Sequence, residues 1–124
     1  MFLRSVVIAA AWLEIIVGAS FVVVPDLLCV LLFGTKPEGI GVPLARFAGV
    51  GLLALGIAGL PSTATGSRRG VVGLFVFNVG VTILFLWVGV FTTAHGILMW
   101  PVAILHAAIA TALVPQLRSI CAGN

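Results

Sequence analysis

The sequence predicts an all-α membrane protein: an up-down bundle of four transmembrane helices with a short interfacial segment after the first. Three observations predict it. The 124 residues are 62% hydrophobic and 7% charged, against roughly 25% charged residues in soluble domains. The mean hydropathy is +1.35. Apolar runs recur four times, each close to the roughly 20 residues a helix needs to cross a hydrocarbon core of about 30 Å. With their turns they fill residues 1–124 as a single integral membrane domain.

The first helix is expected over about residues 5–24, because Pro25 and Asp26 break the apolar pattern. Arg4 followed by an apolar stretch is how a signal peptide begins. Glu14 interrupts that stretch, however, and the run continues past Gly18, Ala19 and Ser20, which favours a retained helix. Residues of about 27–33 form an apolar run too short to cross, expected as an interfacial turn or two of helix. Thr35 to Gly39 is a loop.

The second helix is expected over about residues 42–60, ending at Pro61. Ser62 to Gly70 follows as a polar connection closed by Arg68 and Arg69. The third is expected over about residues 71–92, followed by a tight turn at Thr93 to Gly96. The fourth is expected over about residues 97–114, with Pro101 early enough that its missing donor costs little. Short connections make consecutive helices antiparallel neighbours.

The net charge of +3 comes from six scattered basic residues, a pattern that argues against nucleic acid as a partner. Topology explains it better. Arg4, Arg68, Arg69 and Arg118 fall on one side, whereas Lys36 stands on the other beside Asp26 and Glu38. This bias predicts a multi-pass protein, surrounded by membrane lipids, with both termini cytoplasmic. Trp87 and Trp100 lie toward the outer helix ends and suit an interfacial aromatic belt, although Trp87 could equally pack inside. Cys29 and Cys121 fall on opposite sides of the bilayer, which excludes an intrachain disulfide, and no metal-ligand spacing such as CxxC is present.

One awkward polar side chain stands in each apolar run: Glu14, Arg46, Asn78 and His106. At 1.5 Å per residue, Glu14 and His106 both fall about 13 Å from a helix end, near the midplane, where a contact between the first and last helices is feasible. Asn78, counted from Val71, falls about 10 Å deep and Arg46 only about 6 Å, so the four are not expected to form one cluster. Small residues share their faces, as in Ala11, Glu14 and Gly18; Arg46, Gly49, Leu53 and Gly56; Asn78, Thr82, Phe85 and Gly89; or Ala103, His106 and Ala110.

Each position has a functional and a structural reading. Glu14 and His106 could be an acid-base pair that relays a proton or acts on a lipophilic substrate; equally, they could be a structural carboxylate and an interhelical hydrogen bond. Arg46, Asn78, Thr82 and Trp12 are the candidate ligand-binding residues. Against this, Arg46 could snorkel to headgroups or pair with Asp26, and Asn78 could serve as helix glue. His95, in a turn, is expected to be solvated. Bis-histidine haem ligation fails, because eleven residues of helix, about 16 Å, separate His95 from His106. No hydrolytic triad, phosphate loop or nucleotide fingerprint occurs.

Trp12 and Glu14 resemble the acidic first helix of the small multidrug transporters, but Arg46 and His106 have no counterpart there. The full length resembles small bacterial four-helix inner-membrane proteins of the DoxX-like kind. That resemblance is carried by Gly18 with Pro25, Arg46-Phe47-Ala48-Gly49, Asn78, and Trp100-Pro101 with His106. It implies an association with quinone-linked or redox membrane complexes, hence a quinone or a partner subunit, and transfers no catalytic residue.

The leading expectation is a bundle whose polar interior binds a lipophilic small molecule, a quinone-like one among the candidates, or handles a proton. The first alternative is an accessory subunit of a larger membrane complex, or a homo-oligomer, docking through glycines such as Gly49, Gly56 and Gly59. An intramembrane isomerase or cyclase, or a small proton-coupled exporter, is a further alternative. Whether the polar faces enclose a cavity separates these readings, and periodicity does not reveal it.

Overall fold

Helices account for the regular structure wherever the computed structural model describes the chain, at residues 2–60 and 68–122, with backbone alone at 2, 3, 121 and 122. Five follow in order: α1 (Phe2–Val23), α2 (Pro25–Phe33), α3 (Gly41–Gly59), α4 (Arg68–Phe91) and α5 (Met99–Ala122). Among them α1, α3, α4 and α5 are long and apolar enough to cross a membrane, so the expected four-helix bundle is present.

Proline and glycine set the joints. Val24 leaves the helical region at φ −129°, ψ 58°, and Pro25 opens α2, where its missing donor is not needed. The interfacial helix thus starts two residues before the expected segment. It ends at Gly34, which caps it in the left-handed region at φ 76°. The orphan carbonyls of Leu31 and Leu32 accept the Leu98 and Gly96 N–H groups at 2.8 and 3.0 Å. These bonds tie α2 to the turn between α4 and α5. Gly96 is required there, because a Cβ would overlap the Leu31 carbonyl.

The most extensive packing joins α1 to α3, and α4 to α5 comes next; α3–α4 and α1–α5 are lighter contacts. Small residues explain the first pair. A Cβ on Gly18 would stand 2.7 Å from the Gly49 carbonyl oxygen, and one on Gly56 would stand 2.6 Å from that of Ala11. The two backbones touch. Gly49, Gly56 and Gly59 are buried within the chain, so the expectation that they dock an external helix is corrected: they hold α1 and α4 instead.

Two apolar clusters close the ends of the bundle. One gathers Val7, Ala10, Ala11, Val71, Leu74 and Leu113; the other gathers Leu32, Phe85, Met99 and Ala103. Arg4, Arg68, Arg69 and Arg118 lie toward the first, while Asp26, Lys36 and Glu38 lie toward the second. Polar side chains occupy the layer between.

Of the boundaries that differ from the expectation, two bear on the polar residues and the length of the span. α4 begins at Arg68 rather than near Val71, which lowers Asn78 into the bundle. α5 continues through Pro115 to Ala122 instead of stopping near Val114. There the proline removes only the bond to the Thr111 carbonyl, close to the end of the apolar span. Most of the connection expected before Arg68, residues 61–67, lies outside the described residues.

Candidate functional site

The sequence puts small or polar residues where the two helix pairs meet, and a cavity results. It has a volume of about 620 Å³ and is lined from all five helices, a size typical of small-molecule sites. Glu14, Val17 and Phe21 come from α1; Cys29, Leu32 and Phe33 of α2 cover one end; Phe77 and Phe85 of α4 and Val102 and His106 of α5 form a far wall. α3 contributes Gly41 to Leu55 along one face. The lining is apolar except at Glu14, His106 and the Cys29 thiol.

Its mouth is lateral. Leu44 of α3 and Leu84 of α4 line the cavity yet are 57% and 50% exposed, so they stand at its rim. Gly51 also lines it and is exposed, with nothing within 4 Å of where a Cβ would be. The lightly packed seam between α3 and α4 therefore forms a slot toward the hydrocarbon.

Glu14 is 1% exposed, and its Oε1 is buried with no hydrogen-bond partner. A buried polar atom without a partner is costly and marks either a strained site or a place for a ligand. Two elements of the same face, Ala11 and Gly18, are also buried, as the shared periodicity predicts.

Asn78 and His106 form the second polar element. The fully buried Asn78 donates from Nδ2 to the Leu74 carbonyl at 2.7 Å, which leaves Oδ1 to face the imidazole. His106 Nδ1 lies 2.7 Å from that oxygen. An amide oxygen only accepts, so Nδ1 carries the proton and donates. In the neutral ring Nε2 is then the acceptor, on a side chain that lines the cavity. Phe77 packs edge-on against the ring at 5.8 Å between centroids.

Glu14 and His106 thus share the cavity, but no hydrogen bond joins them. The separation expected between Asn78 and His106 is corrected: they are directly bonded. Asn78 stands ten residues past Arg68 in α4, about 15 Å along the helix, and so reaches the middle layer.

The other candidate residues do not line the cavity. Trp12 is 51% exposed, since two residues before Glu14 is about 200° around the helix. Thr82 is half-buried and donates its hydroxyl to the Asn78 carbonyl at 2.8 Å. Arg46 is exposed and lines a separate shallow groove with Asp26 at the α1–α2 joint. His95 is exposed, as expected of a turn residue, and Trp87 faces outward at 57% exposure.

Sequence reasoning missed Phe77 and Cys29. Phe77 sits one residue from Asn78, a position that periodicity alone reads as ordinary apolar surface. Cys29, within α2, is buried. Burial pushes its thiol pKa up, and the Asp26 charge adds to the rise. Comparison of the chain with protein-family models, curated proteins and solved structures returns no match.

Proposed function

We propose that the protein is a small multi-pass protein of the bacterial inner membrane that binds a lipophilic small molecule, a quinone-like ring among the candidates, where Glu14 and His106 can exchange a proton with it. The carrying observation is the apolar cavity of about 620 Å³ that contains Glu14 and His106 and opens between α3 and α4. A site of this kind draws its ligand from the bilayer and holds it by area, while the two polar groups orient it. Intramembrane ionisable groups that face a cavity are the usual mark of such sites. The arginines grouped at one end of the bundle support cytoplasmic termini.

Native mass spectrometry on protein extracted gently from its own membrane tests the reading. A retained small molecule, lost in Glu14→Gln while the bundle stays folded, is the expected result. A companion protein with no small molecule would instead favour an accessory subunit, with the polar residues serving packing. Unchanged retention in Glu14→Gln would remove Glu14 from the site.

A further inference from the structure

The cavity is asymmetric in a way that specifies its ligand further. Its polar groups, Glu14 and His106, lie at mid-helix, whereas the rim at Leu44 and Leu84 is apolar and exposed. A molecule seated there has its polar group inside and its hydrocarbon at the mouth. The slot allows a chain to continue into the bilayer, so the chain need not fit inside.

Hydrogen-bond parity restricts the head. The Asn78 amide takes the Nδ1 proton of His106, which leaves Nε2 as an acceptor in the neutral ring. A ligand must therefore bring a donor, since a ketone, ether or ester leaves Nε2 unmet, and this narrows the candidates above by setting aside an oxidised quinone. Glu14 adds a carboxyl whose Oε1 has no partner. Charge narrows the choice again. No Lys or Arg lines the cavity, and Arg46 opens onto a different groove, so an anionic head would enter uncompensated.

Resting on the cavity reading above, we propose that the ligand is a lipid with a neutral hydroxyl head, which enters head first between α3 and α4 and donates its O–H to His106 Nε2. The hydroxyl is recognised by its donor, and the chain by apolar contact alone, so chain length beyond the rim is not selected.

Photo-crosslinking in proteoliposomes tests this with three matched probes: a long-chain primary alcohol with a diazirine beside the head, its methyl ether, and the corresponding primary amine. The alcohol should label residues near Glu14 and Phe77, and the ether about tenfold less, the size of one lost hydrogen bond in a buried site. An alcohol with the diazirine at the point where the chain leaves the slot should label the Leu44 and Leu84 rim instead. Gly51→Phe should block both alcohols by filling the slot, because open space surrounds Gly51. Equal labelling by ether and alcohol, or stronger labelling by the amine, would overturn the neutral-donor head while leaving the cavity reading intact. Reversed positions of head and chain labels would overturn the direction of entry. If no probe labels the cavity in folded protein, and Gly51→Phe also leaves the natural complement of bound small molecules unchanged, the cavity reading itself fails.

Discussion

His106 Nδ1 lies 2.7 Å from Asn78 Oδ1, and this contact joins α5 to α4 inside the bundle while fixing which imidazole nitrogen carries the proton. Its partner is anchored in turn, because Asn78 Nδ2 holds the Leu74 carbonyl at 2.7 Å. A hydrogen bond of this kind between membrane helices contributes about 0.6–2 kcal/mol. Its larger consequence is chemical.

Asn78→Leu should release the ring. Nitrogen NMR on histidine-labelled protein is expected to show the His106 ring as a single Nδ1–H tautomer in the parent and as a mixture in the variant, with a stability loss of about 1–2 kcal/mol. A parent spectrum dominated by Nε2–H would contradict the assignment of the acceptor.

Glu14 contributes nothing to folding through Oε1, which has no partner. Glu14→Leu should therefore leave thermal stability in detergent unchanged or raise it by about 1 kcal/mol, while ligand retention is lost. A clear fall in the midpoint would show that the carboxyl is structural and sink its functional role.

The close approach of α1 and α3 predicts a sharp contrast among glycines. Gly56→Ala places a methyl 2.6 Å from the Ala11 carbonyl oxygen and should cost about 1–3 kcal/mol by overpacking. Gly51→Ala meets nothing within 4 Å and should be neutral or slightly stabilising. Unfolding titrations of the two variants in mixed micelles read the difference directly; equal stabilities would contradict the packing of these helices.

Cys29 should alkylate slowly near neutral pH, because burial and the Asp26 charge both hold the thiol protonated. Removing that charge lowers the thiol pKa, so more thiolate exists at a given pH. Asp26→Asn is accordingly expected to speed iodoacetamide labelling and to move its pH midpoint downward. An unchanged pH profile would show that Asp26 does not act on the thiol.

Much of the bundle was legible because its causes are local. Pro25, Gly34 and Gly96 act where the chain must turn, and the apolar runs have the length a bilayer demands. The inward aim of Glu14 followed from Ala11 and Gly18 on its face. Asn78 lies deeper than hydropathy places it, because uninterrupted hydropathy begins at Val71 whereas α4 includes Arg68. Hydropathy marks what lipid tolerates, and a helix continues past that limit into the headgroups.

By itself, then, the sequence determined the class, the number of spans, the distribution of positive charge and the four polar positions that need an account. Those follow from composition and the fixed rise of a helix. Only the tertiary structure decided that Asn78 bonds His106, that Arg46 and Trp12 stand outside the cavity, and that the seam between α3 and α4 is open. The physical reason is that rotation and register between helices are set by contacts such as Gly18 on Gly49 and Gly56 on Ala11. No periodicity within one helix encodes the register of its neighbour.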